Sequence, residues 1–256
     1  MKIELPTAAE PVRIVQGESL AVLVDLPSEA FDLVLADPPY SSGGFTRGDK
    51  ISGVRKKYQQ TGTRREYPAF AGDTRDQRAY GYWSALWLAQ CLRAARPGTI
   101  CGVFADWRQL PVTVDAIQAG GWVYRGIVPW HKPGARPTQG RFTSSCEYLV
   151  WGTKGPRPLE GAPLPGFYSV GVKQADKHHL TGKPTELLRE LVKIAPASGL
   201  VLDPFAGSFT SAVAAALEGR RCLAIECEAP YVAIGRQRVA DALGLAEVPG
   251  YLAGDA

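Results

Sequence analysis

The sequence predicts one α/β domain with a largely parallel sheet, on three observations. Short, continuously apolar runs recur ("FDLVLA" at 31–36, "TICGVFA" at 99–105, "GLVLD" at 199–203), as in strands covered on both faces. Helix-compatible stretches alternate with them, the pattern of crossover units. Two of the strand-like runs end in an acid followed at once by proline, in "ADPPY" at 36–40 and "LDPFAGSF" at 202–209.

In chain order, "RIV" at 13–15 reads as a short strand and "QGESLAVLVDLP" as a turn and helix. "FDLVLA" is the second strand. Residues 41–78 are rich in Gly, Ser, Thr, Arg and Lys without a steady period, which predicts a long functional loop. "YGYWSALWLAQCLRAA" at 80–95 reads as an amphipathic helix stopped by Arg96-Pro97-Gly98, and "TICGVFA" as the next strand. A helix over "LPVTVDAIQAGG" ends at Gly120 and Gly121. "WVYRGIVPW" and "CEYLVWGT" then read as an antiparallel pair around a basic loop at 131–145. Residues 154–178, dense in Pro and Gly, predict an irregular connector. A helix follows over 183–195 with Pro184 at its start, then strand, turn, helix and strand over 199–226, and a last helix over 229–243.

Composition narrows the function classes. The chain has 256 residues, 45% of them apolar, enough for one large domain with a normal core. It has no 18-residue apolar run, so no membrane span is expected, and the first residues lack the apolar centre of a signal peptide. Five scattered cysteines and no CxxC pair suit reduced thiols in a cytoplasmic protein. Three histidines make no zinc pattern with them, so no metal is expected. The net charge is +4, unevenly spread: residues 47–78 hold nine basic and four acidic side chains, and residues 131–157 hold five basic and one glutamate. Such basic segments suit a phosphate-rich partner, with two solvated loops as the competing reading.

Two motifs carry chemistry. In "VLDPFAGSFTSAVAAALEGRRCLAIE", a strand ends at Asp203, a glycine-bearing turn follows, and Glu226 closes the next strand nineteen residues after Gly207. Gly207 lets a ligand approach the backbone, and an acid in the Glu226 position accepts ribose hydroxyls. The GxGxxG spacing is absent, so an adenosine ligand without phosphates fits as well as a dinucleotide. An ordinary tight turn with an exposed acid is the competing reading. In "LADPPY", Pro38 and Pro39 hold the exit from the strand extended. Asp37 and the neighbouring carbonyls can then converge on one polar group beside the Tyr40 ring, a constellation suited to a planar base with an exocyclic amine. A proline-rich turn with Tyr40 in the core competes with it.

"DPPY", "DPFAGSFT" and "HLTGKPTELLRELV" together resemble the S-adenosylmethionine-dependent amino-methyltransferases of DNA. The catalytic motif comes first and the cofactor motif last, the permuted arrangement called the β-class. The resemblance implies a Rossmann-like, doubly wound, mostly parallel sheet with an antiparallel strand pair, in the circularly permuted methyltransferase form. It implies S-adenosyl-L-methionine as cofactor and double-stranded DNA as partner; many relatives are homodimers. The N6 of a flipped-out adenine is the implied target. The N4 of cytosine is the alternative, and a non-catalytic DNA-binding protein that kept the fold is a more distant one.

Residue by residue, the resemblance implies that Asp37, Pro38, Pro39 and Tyr40 form the base pocket. It implies that Asp203, Phe205, Ala206, Gly207 and Ser208 line the methionine end of the cofactor, and that Glu226 binds its ribose. Glu18 stands where an aspartate near the adenine is usual. Thr181, Lys183 and Pro184 belong to the segment that covers the methionine portion. Arg47, Arg55, Lys56, Lys57, Arg64, Arg65, Lys132, Arg136 and Arg141 are the expected DNA contacts. The basic loops 41–78 and 131–145 and the connector 154–178 are the expected recognition regions within one domain, 1–256. Two departures stand out: Gly182 replaces a common glutamine, and Phe209 replaces the second glycine of the turn, where it either crowds the cofactor or packs against a helix.

Overall fold

In "FDLVLA", successive side chains point to opposite faces of the sheet. Leu33 and Leu35 enter one core and Val34 and Ala36 the other, so every position from 33 to 36 is buried. The same alternation splits Val201 from Leu200 and Leu202, and Cys222 and Ala224 from Leu223 and Ile225. This is why the strands read as unbroken apolar runs. Each buried Val, Leu or Ile among them contributes about 1.5–3 kcal/mol.

The computed structural model describes residues 3–40, 75–137, 139–172, 182–246 and 251–253. Its elements run β1 (Val12–Gln16), α1 (Ser19–Asp25), β2 (Phe31–Ala36), α2 (Gln77–Ala94), β3 (Ala95–Ala105), α3 (Leu110–Ala119), β4 (Val123–His131), β5 (Cys146–Thr153), β6 (Tyr168–Ser169), α4 (Thr185–Val192), β7 (Leu200–Asp203), α5 (Thr210–Leu217), β8 (Arg221–Glu226), α6 (Ala229–Leu243) and β9 (Tyr251–Ala253). The strands form one sheet in the order β6-β4-β5-β3-β2-β7-β8-β1-β9. Side chains of α1, α2 and α3 join the core on one face, and those of α4, α5 and α6 the core on the other. The fold is therefore a doubly wound α/β sandwich, as expected.

Direction matters for the site. Among the described strands only β5 is antiparallel to its neighbours, β3 and β4; every other pairing is parallel. Its first residues therefore lie at the edge where the parallel strands end. From β2 the chain winds outward to β3, and from the adjacent β7 it winds the opposite way to β8. The crevice between strands that diverge in this manner is the usual ligand position in an open α/β sheet.

Several boundaries differ from the sequence reading. β3 begins at Ala95, so Arg96-Pro97-Gly98 stop α2 but lie within the strand, where the register against β2 shifts between Phe31 and Leu33. The helix expected over 183–195 spans only Thr185–Val192. Pro184 caps it in extended conformation, with φ −61° and ψ 135°, and leaves Lys183 outside the helix. The connector 154–178 contributes β6, which pairs with Trp130 and His131. The edge strand β9 has no sequence signal of its own beyond three residues, "YLA". No helix of the described residues is long and apolar enough to cross a membrane.

Candidate active site

Both motifs open into one cleft of about 610 Å³ at the carboxyl ends of β2 and β7. Asp37, Tyr40, Lys183, Asp203, Gly207 and Glu226 are among its lining residues. A cleft of this size accommodates a nucleoside-sized ligand with room beside it.

At the β2 end, the two prolines carry the chain out of the strand as expected, but Asp37 is not left free. The Lys183 ammonium sits 2.6 Å from each Asp37 carboxylate oxygen, and the Tyr40 hydroxyl donates to Oδ1 at 2.7 Å. Lys183 thus reaches the Asp-Pro-Pro-Tyr motif as well as lining the cleft. The reason lies in the chain: Pro184 keeps the approach to α4 extended and aims the lysine inward. Lys183 Nζ lies 5.2 Å over the Tyr40 ring and 5.0 Å over Phe104, close enough for cation–π attraction.

Glu147, at the start of β5, completes the cluster. Its Oε2 lies 3.3 Å from both Lys183 Nζ and the Tyr40 hydroxyl, and its Oε1 accepts from Lys132 at 2.8 Å. Burial alone would raise the Glu147 carboxyl, but the Lys183 and Lys132 ammoniums hold it below the usual glutamate range. Burial would lower Lys183, yet Asp37 and Glu147 keep it above the ordinary lysine value. Burial pushes Asp37 up against the pull of Lys183. Burial, then the Asp37 and Glu147 charges, raise Tyr40 well above an ordinary phenol, so its hydroxyl stays a donor. Behind it, Gln109 Nε2 donates to the Tyr40 carbonyl at 2.7 Å and fixes the turn.

At the β7 end, Gly207 adopts φ +52° and donates its amide to Glu226 Oε2 at 2.8 Å, while the Glu228 amide donates to Oε1 at 2.8 Å. An ionised carboxylate has about four acceptor sites. Two N–H donors therefore leave Glu226 capacity for hydroxyls. Asp203 accepts from the Phe205 amide at 3.0 Å and from the Ser211 hydroxyl, and burial lifts its pKa to about 7. Phe205 packs on Trp83 and Trp87, with ring centroids 5.3 and 5.0 Å away. Glu18 caps α1 by accepting from the Ala21 amide at 2.9 Å, and also lines the cleft. Ala206 and Ser208 are buried lining residues of the turn.

Phe209 resolves its two readings. It is fully buried, stands at φ +63°, and its ring fills the space over Gly235 of α6, where a Cβ would overlap it. It packs on the helix and is not among the cleft-lining residues.

Lys132 lines the cleft, whereas Arg136 and Arg141 are exposed on the loop between β4 and β5 and do not line it. Thr181 and the predicted contacts Arg47, Arg55, Lys56, Lys57, Arg64 and Arg65 lie outside the described residues. Sequence reasoning missed Glu147, Gln109, Trp83 and Trp87. Glu147 had a signal, as the one acid within 131–157, and the tryptophans share a helix face by their spacing of four. Gln109 had none. Among the described residues no group of His, Cys, Asp and Glu side chains is placed to hold a metal ion.

Fold and site together define a doubly wound, Rossmann-like α/β protein with a two-motif cleft at the switch between β2 and β7. Residues 165–237 match the DNA methylase family model. The Haemophilus influenzae type II methyltransferase M.HinfI is 26% identical over 258 residues, covering 88% of this chain and 67% of the relative. In fold, the chain resembles the M1.HpyAVI–SAM complex (TM-score 0.63, 18% identity, 89% of this chain and 98% of that one). It also resembles the cytosine-N4-specific PvuII DNA methyltransferase (TM-score 0.67, 18% identity, 91% and 92%). The matched family model and the methylase relatives support an S-adenosylmethionine-dependent DNA methyltransferase of the N6/N4 kind.

Proposed function

We propose that the protein transfers a methyl group from S-adenosyl-L-methionine to the exocyclic N6 of an adenine flipped out of duplex DNA. The observation that carries this reading is the convergence of the two motifs, from adjacent strands, on one cleft. The residues present fit the cofactor. Gly207 leaves the turn without a side chain, Glu226 retains acceptor capacity for ribose hydroxyls, and Asp203 lines the same cleft. Phe205, Ala206 and Ser208 would wall the methionine end, and Glu18 would stand near the adenine.

Bound there, S-adenosylmethionine supplies an electrophilic methyl group on a sulfonium. The chain's own residues do the rest. An adenine amine is a poor nucleophile because its lone pair is shared with the ring. Asp37 and the Pro38 carbonyl would accept its two N–H groups and favour a tetrahedral nitrogen with a localised lone pair. Those bonds strengthen as positive charge grows on nitrogen, so they act on the transition state. Holding the amine in line contributes several kcal/mol through proximity. Tyr40 would stack on the extruded base, worth about 1–3 kcal/mol, with Pro39 stiffening its approach.

Recognition and backbone grip would fall to the segment 41–78, of which 41–74 lie outside the described residues, the loop 131–145 that carries Arg136 and Arg141, and the connector 154–178, all within one domain. Label transfer from methyl-labelled S-adenosylmethionine to mixed-sequence duplex DNA tests the reading, beside an Asp37→Ala control. Mass spectrometry of the product nucleosides should show N6-methyladenine; N4-methylcytosine would move the target to cytosine, and cofactor binding without label transfer would sink the reading.

A further inference from the structure

We propose that Glu147 is a positioning residue that offers the Lys183 ammonium a second seat, so that Asp37 is released when a substrate amine arrives. The inference rests on the activity proposed above. That activity needs Asp37 as an acceptor, yet both its oxygens are engaged. Lys183 takes them at 2.6 Å each and Tyr40 takes Oδ1 again at 2.7 Å. A carboxylate neutralised by a contact ion pair is a weak acceptor for a nitrogen that is becoming positive. An ammonium left in place also repels that nitrogen.

The geometry supplies the remedy. Both donors on Asp37 have the same alternative acceptor: Glu147 Oε2 lies 3.3 Å from Lys183 Nζ and 3.3 Å from the Tyr40 hydroxyl. A small shift of the ammonium lengthens its contact with Asp37 and shortens that with Glu147, with no charge left unpaired. Lys132 holds the other Glu147 oxygen at 2.8 Å, so the second seat is itself fixed. The Lys183 side chain is only 4% exposed, so water cannot take over the role of the second carboxylate. The four groups form an alternating row, Asp37, Lys183, Glu147 and Lys132, along which positive charge moves by a fraction of a bond length rather than by leaving the site.

The test uses the full chain and its Glu147→Gln and Glu147→Asp variants. Single-turnover methyl transfer to duplex DNA should slow by about tenfold or more in E147Q, while calorimetric affinity for S-adenosylmethionine stays close to the parent's. E147D, which keeps the charge, should recover part of the rate. A second readout needs no activity. In the cofactor-free protein, the Lys183 εCH₂ titration followed by NMR should have a lower midpoint in E147Q, because one of its two carboxylates is gone. Parent-like methyl transfer by E147Q overturns the proposal. So does equal slowing in E147Q and E147D with melting temperature and cofactor affinity lost together, which marks a purely structural ion pair. If the parent transfers no methyl group, the activity itself has failed. The titration then decides the shared seat alone, and an unchanged midpoint overturns it.

Discussion

Phe209 and Gly235 occupy one space: the buried ring of the first stands where a side chain on the second would be. Phe209 also holds a left-handed conformation, φ +63°, that costs a non-glycine residue about 1–3 kcal/mol. The strain is tolerated because the ring is fully packed. Gly235→Ala should therefore lower stability by about 1–3 kcal/mol through overpacking. Adding Phe209→Gly, which relieves the backbone and opens the space, should recover part of that loss. Thermal unfolding of the two single variants and the double variant measures the coupling; strictly additive effects would refute it.

Lys183 compensates two carboxylates with a side chain only 4% exposed. Lys183→Met should destabilise the fold by about 3–5 kcal/mol, since it strands Asp37 and leaves Glu147 with Lys132 alone. The pH dependence follows from Glu147, whose folded pKa lies below its ordinary value. Its contribution is fully present above the ordinary glutamate pKa and is lost as pH falls through the lowered folded value. Urea melts across the acid range should show that loss in the parent and a smaller one in K183M.

Asp203 behaves in the opposite sense, because burial raises it to about 7. Its contribution to stability is greatest below the usual aspartate range and drains away as pH climbs towards 7. Asp203→Asn should flatten stability between those limits. Binding a sulfonium ligand favours the ionised carboxyl, so S-adenosylmethionine binding near pH 6 should release a proton. Calorimetry in buffers of different ionisation enthalpy reads it, and the release should vanish in D203N.

Gln109 holds the Tyr40 carbonyl at 2.7 Å from a nearly buried position. Gln109→Leu leaves that carbonyl without its donor, a loss of about 1–3 kcal/mol. DNA KM should rise more than the cofactor dissociation constant, since the turn carries the proposed base-binding residues and not Asp203. Steady-state kinetics separates the two.

Arg136 and Lys132 sit on the same basic loop but in different company. Lys132 is paired with Glu147 at 2.8 Å, whereas Arg136 is exposed. Arg136→Gln should reduce the salt dependence of DNA binding by about one unit of slope, and Lys132→Gln by less. Binding isotherms across salt concentrations report both slopes.

The sheet was legible because its strands are covered on both faces and show unbroken apolar runs. "FDLVLA" matches β2 residue for residue, and the last helix matches α6. What sequence could not show was partnership at a distance. Asp37 and Lys183 are 146 residues apart, and only folding brings the ammonium onto the carboxylate. Glu147 was visible as a lone acid among bases, but its role depends on β5 running against its neighbours. The short strands β6 and β9 depend on edges provided by β4 and β1, so local pattern does not announce them.

That reversed strand has a practical meaning. The β4–β5 ladder is registered continuously from Gly126–Trp151 to His131–Cys146, and the loop it carries begins and ends beside Glu147. The hairpin is thus a socket: its tip can be exchanged for another sequence while the ladder keeps the glutamate where it is. On the function proposed above, a designer wishing to redirect the protein to a different stretch of nucleic acid would graft at residues 133–143, short of Ser144, which lines the cleft.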